Sequence, residues 1–176
     1  MKRNVSVWQF AGFVTTTLAG TLLQFLYDWT SQSVLAAPFA AVNESTWEHM
    51  KLLFWPLFLF ALIQWRFFRE YRHFWCVKLA GTLTGLLLIP VLFYTYNGAF
   101  GKSPDWVNIV IFFLSGAAVF ILETCLLRKS RPHCKLSWAA FAALCLLGVL
   151  FVVFTFITPQ LPLFQDPQTG TFGISG

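Results

Sequence analysis

Apolar side chains run through this chain in five long stretches with few polar interruptions, at about 7–27, 46–68, 75–96, 106–127 and 136–158. Each approaches the roughly 20 residues that a helix needs to cross about 30 Å of hydrocarbon. A helix also closes every backbone hydrogen bond within its own segment, as a bilayer demands. The second stretch is the shortest by apolar count: its continuous part is 52–68, broken by Arg66, so its helix is expected to begin near Ser45. Segment 31–44 is apolar but broken by Pro38 and too short to span, which suits a half-helix lying at or dipping into the outer interface. Residues 159–176 are turn-rich and expected to be irregular, either as a free end or folded back over the outer opening through Leu161, Leu163 and Phe164. The pattern predicts an all-α, polytopic membrane helix bundle of five transmembrane helices, a single integral membrane domain over residues 1–176.

Composition agrees. With 57% hydrophobic and only 11% charged residues, the chain has more apolar surface than a fold of 176 residues can hide from water. The net charge of +5 invites a nucleic-acid reading until the charges are placed. Lys2 and Arg3, then Arg66, Arg69, Arg72 and Lys78, then Arg128, Lys129, Arg131 and Lys135 put ten of the 12 basic residues on one face, leaving Lys51 and Lys102 opposite. The positive-inside rule then sets the amino terminus in and the carboxyl terminus out, and no nucleic-acid partner is expected. Asp28, Glu44, Glu48, Asp105 and Asp166 all fall outside, and seven of the eight tryptophans fall at span ends, Trp55 excepted. Lys2 and Arg3 before an apolar run also fit a cleavable leader, but the run is long and residues 27–29 separate it from the small residues of 33–38, so an uncut helix is expected.

Several features have ordinary packing explanations. Gly81 and Gly85 form a small-residue seam for a neighbouring helix, including one of a second copy in a homo-oligomer. Pro56 and Pro90 each delete a helix hydrogen bond and should kink their helices. Cys76, Cys125, Cys134 and Cys145 lie in spans or on the inner side and are expected as buried or reduced thiols. His133 and Cys134 offer two metal ligands without the companions a site needs, and a basic loop facing anionic lipid explains that segment as well. Glu123, inside the fourth span, has Lys78 or Arg128 as ion-pair partners, or else a transport role. No glycine-rich phosphate loop faces the inner side.

Chemistry concentrates between Asn43 and Lys51, directly before the second span. Ser45 and Glu48 match a capping box, in which the Ser45 hydroxyl accepts from the Glu48 amide and the Glu48 carboxylate from the Ser45 amide. Acids at a helix start also suit the macrodipole, which accounts for Glu44 and Glu48 without function. His49 and Lys51 are not explained in this way. In a helix starting at Ser45, Glu48 faces Lys51 at i, i+3 and Ser45 faces His49 at i, i+4. Asp28, Tyr94, Tyr96, Asn97 and Asp105 lie at the same outer layer and complete the ligand-binding candidates; Asp28, Glu48 and His49 are the candidate metal ligands, a thin set with one histidine. No cofactor is indicated.

The segments 27–29, 42–51, 94–98 and 163–170 resemble a family of uncharacterised small multi-pass membrane proteins of bacteria, mainly Firmicutes, and the resemblance extends over nearly the whole chain. The resemblance implies a bacterial inner-membrane setting and no activity. Ser45 and His49 at the head of a membrane helix are also similar to one motif of the alkaline-ceramidase-type membrane hydrolases, where the matching His is a zinc ligand. Those proteins have seven spans and a later pair of histidines, which this chain lacks. Three functions follow in order: binding a small polar or ionic ligand, or a partner, at the outer layer; hydrolysis or transfer on a lipid headgroup, with Glu48, His49 and Ser45 as catalytic candidates; and oligomeric transport using Glu123 and Glu48.

Overall fold

The computed structural model describes residues 4–128, 134 and 136–174. It contains five helices, α1 (Val5–Trp29), α2 (Thr46–Trp65), α3 (Phe74–Phe100), α4 (Asp105–Arg128) and α5 (Ser137–Phe156), followed by a short 3₁₀ turn at Pro162–Phe164. Four of them, α1, α3, α4 and α5, are long and apolar enough to cross a membrane. Their outward side chains are oily: Leu18 and Leu22 of α1, Leu87 of α3, Ile121 of α4 and Leu146 of α5 are all exposed. Such a surface requires lipid as part of the solvent.

Helix α2 differs because it sits at the centre. Eleven of its 20 residues are buried, against six of 25 in α1, and its Glu48, Lys51 and Gln64 all face protein. A helix wrapped by other helices has no need of an apolar exterior, which explains why it alone falls short in hydropathy. α1, α3 and α5 pack around it, α4 closes against α1 and α3, and α5 also lies along α3.

Both α2 and α3 continue through their internal prolines. Pro56 has no N–H to give the Leu52 carbonyl one turn earlier. Gly20 of α1 lies against that carbonyl: a methyl group built on Gly20 would stand 2.9 Å from Leu52 O and 2.5 Å from the Phe112 ring. The small residue lets α1 approach where α2 has a free acceptor, a close contact of the kind small residues permit between membrane helices.

Gly81 and Gly85 are filled within the chain. A methyl at Gly81 would stand 2.7 Å from Glu123 Cγ, and one at Gly85 would stand 2.5 Å from Val119 Cγ2, both on α4. The aromatic core is centred on Trp47, whose ring lies 4.5 Å from Phe151 and 4.7 Å from Phe164 of the tail. The tail is thus folded back, and a bridge between Gln165 and Phe172 closes it into a small loop.

One expectation is corrected. Cys76 and Cys134 form a disulfide, with Cα atoms 6.4 Å apart, whereas all four cysteines were expected as separate thiols. That expectation rested on the compartment; the packing of α5 on α3 brings the first turn of α3 to the segment before α5, within ordinary bridging distance. Cys125 and Cys145 are free. Lys2, Arg3, Lys129, Arg131, His133 and Lys135, whose placement bears on topology and metal binding, lie outside the described residues.

Candidate functional site

The segment between α1 and α2 re-enters the helix layer as a chain of turns. Ala37 and Ala40 are fully buried, while Leu35 and Phe39 face outward. A non-helical backbone at this depth must find donors for its carbonyls. Trp55, two and a half turns inside α2, donates its indole N–H to Pro38 O at 2.8 Å. Lys51 donates to Ala37 O at 2.8 Å and to Thr155 Oγ1 at 3.2 Å, and forms an ion pair with Glu48 Oε2 at 2.5 Å. Glu48 Oε2 also accepts the Val42 amide at 3.0 Å. The two residues that face one another at i, i+3 therefore tie the re-entrant turn to α2 and α5, and both are buried.

The capping box forms only in half. The Glu48 amide donates to Ser45 Oγ at 3.4 Å, but the Ser45 amide goes to Asn43 Oδ1 at 2.9 Å rather than to the Glu48 carboxylate, which is committed to Lys51 and Val42. Asn43 then uses its amide nitrogen to hold the tail, donating to Gly173 O at 3.1 Å.

Outside this anchor lies a cavity of about 400 Å³ between α1 and α4. Its polar lining includes Gln24, Glu44, His49, Asp105, Asn108 and the tail's Gln168, with Thr21 beside them; its apolar lining includes Phe25, Leu52, Ile109, Phe112 and Phe113. Gln24 donates to Glu44 Oε1 at 2.7 Å. His49 Nδ1 lies 3.0 Å from Ser45 O, an acceptor, so that nitrogen carries the proton, while Nε2 faces Glu44 Oε2 at 3.7 Å. In the neutral ring Nε2 is itself an acceptor. Two acceptors then face one gap, an arrangement that a donor placed between them would complete.

Of the residues singled out from the sequence, Glu44, His49 and Asp105 line this cavity. Asp28 is exposed at the end of α1, and Tyr94 is half exposed on α3. The Tyr96 ring lies against that of Phe100 at 5.2 Å, tilted by 40°. Asn97 donates to Phe93 O and accepts the Ser103 amide, closing the α3–α4 turn. Asp28, Glu48 and His49 do not gather, and no group of three metal-ligating side chains is found among the described residues. Gln24, Asn108 and Gln168 were missed. Gly20, Thr21 and Gln24 form a small and polar stripe at helical spacing that signals the first, and Asn108 follows Asp105 at i+3 on the same face; nothing local marks Gln168.

At the opposite end of the bundle, Lys78 donates to Glu123 Oε2 at 2.6 Å. Arg128, the other partner considered for Glu123, donates to Ser6 instead.

A family model described as a family of unknown function (DUF6512) matches residues 1–174. No curated protein and no solved structure matches.

Proposed function

Because the chain belongs to the DUF6512 family of unknown function, whose description carries no activity, we propose its function from the geometry: it binds, from the outer face of a bacterial inner membrane, an amphiphile with a cationic or hydroxyl-bearing head. Five spans with the amino terminus in and the carboxyl terminus out are part of this reading. The distribution of basic residues supports it, as does α2 running the depth of the bundle. The observation that carries the proposal is the α1–α4 cavity, in which Glu44, Asp105 and His49 Nε2 meet an apolar wall and no Lys or Arg among the described residues lines the space. Lys51, the nearest cation in sequence, is occupied by Glu48. A donor head would sit between Glu44 and His49 while an alkyl body follows Phe25, Ile109 and Phe113 toward lipid.

Protein in nanodiscs titrated with a long-chain primary amine and with the carboxylate of equal chain length tests this. The amine should bind and the carboxylate should not. Glu44→Gln should weaken the amine by about tenfold, as loss of one charge-assisted hydrogen bond does. Equal binding of the two probes, or amine binding indifferent to Glu44→Gln and Asp105→Asn together, would overturn the assignment.

A further inference from the structure

A second, largely apolar cavity lies at the other end of the same helix pair, with a buried polar layer beside it. Ser6, Gln9, Phe10, Phe13, Phe120 and Thr124 help line another cavity of about 400 Å³ between α1 and α4. Gln9 is 2% exposed, and neither atom of its carboxamide has a hydrogen-bond partner. It is nevertheless the hydrogen-bonding neighbour of the Glu123 carboxylate, at a geometry short of a full bond. Glu123 Oε1 is also buried and unpartnered, its other oxygen being taken by Lys78. Gln64 of α2, fully buried, leaves both of its amide atoms unpaired. It lies one turn from Phe60, whose ring, with those of Phe74 and Phe120, surrounds the Lys78 ammonium at 5.5–5.9 Å.

Gln9, Gln64, Lys78 and Glu123 each stand within about two turns of the inner end of their helix, so four helices contribute polar groups to one layer. Five buried atoms there lack a full hydrogen bond, and even with Gln9 and Glu123 partly satisfying one another the remainder carries a desolvation cost if the layer is dry. The occupant is constrained by the atoms themselves. The two amide nitrogens are donors and the three oxygens are acceptors, and Lys78 already neutralises Glu123, which disfavours a metal cation or an anion. A small neutral molecule that both donates and accepts, namely water, satisfies the set. Gly81 adds to the case, since any larger residue would drive a side chain into the Glu123 carboxylate.

We propose that this layer is a hydrated proton-exchange site, entered from the nearby helix ends past Gln9, with Glu123 as the group that takes and releases the proton and Lys78 as its counter-charge. Around Glu123, α3 contributes Lys78 as the charged neighbour, α1 the neutral Gln9, and α2 the Phe60 ring beside the ammonium. On protonation a hydronium among the layer's waters gives its proton to the Glu123 carboxylate and becomes water, and on release the proton returns to that water. This site is separate from the outer cavity and stands or falls independently of it.

Two measurements on full-length protein test the inference. With Cys125 and Cys145 replaced by Ser, Gln9→Cys should react with a charged, water-soluble methanethiosulfonate at least about tenfold faster than Ala142→Cys, because only a hydrated sulfur ionises to the reactive thiolate. Ala142 is exposed on α5 at a similar distance from the inner helix ends. Equal rates would overturn hydration. In infrared spectra, lowering the bulk pH should raise a protonated-carboxyl band that is absent from Glu123→Gln. The same band in both proteins would overturn proton exchange. If Glu123→Gln does not fold, the Lys78→Met/Glu123→Gln double variant, which leaves no unpaired charge, takes its place in the comparison.

Discussion

A lysine has three ammonium donors, and in Lys51 each has a partner: Glu48 Oε2, Ala37 O and Thr155 Oγ1. This completeness makes a buried charge tolerable and gives it work, since the second of those acceptors belongs to the re-entrant turn. Lys51→Met should cost about 3–5 kcal/mol, because it leaves Glu48 buried and unpaired. Adding Glu48→Gln should restore part of the loss, since the amide oxygen still accepts from Val42. Thermal unfolding in detergent reads both variants, and a Lys51→Met protein that melts with the wild type would refute the account. The i, i+3 relation of Glu48 and Lys51 was legible from spacing alone. That their shared face is covered by 31–44 was not, because periodicity assigns a direction around a helix and says nothing of what lies there.

Among the elements, the clearest dependence runs from Pro56 to Gly20. Proline frees the Leu52 carbonyl in α2, and glycine lets α1 come up to it. Gly20→Ala should therefore destabilise the protein by about 1–3 kcal/mol through overpacking against Phe112 and Leu52 O. Gly98, helical in α3, has open space where a methyl would stand, with nothing within 4 Å. Gly98→Ala should raise stability by up to about 1 kcal/mol through helix propensity. Matched unfolding curves in detergent compare the two, and a Gly20→Ala protein as stable as Gly98→Ala would show that the helices do not meet closely at this point. The five helices were readable from the apolar runs. The seam residues were readable only as a class, because Gly81 and Gly85 look alike whether the helix they admit comes from the same chain, as α4 does here, or from another copy.

At the scale of the molecule, α2 lies among four more apolar helices, and cysteine labelling tests directly whether it crosses the membrane with them. With the two free cysteines removed, Asp28→Cys should be labelled from outside and Glu70→Cys from inside; labelling of both from one side would remove α2 from the spans. The folded tail matters at this scale too, since Phe164 is held by Trp47 and Gln168 borders the outer cavity. Sequence alone determined the helical class and the five apolar stretches, and it supplied the charge asymmetry from which the orientation is proposed. These depend on composition and on spacing along a single helix, both of which are local. Tertiary structure decided which polar groups share a cavity, that Glu48 and Lys51 anchor a turn outside it, that Glu123 takes Lys78 over Arg128, and that Cys76 meets Cys134. Those outcomes depend on which helix faces which, and five apolar helices of similar length can be packed in several ways that leave the same sequence pattern unchanged.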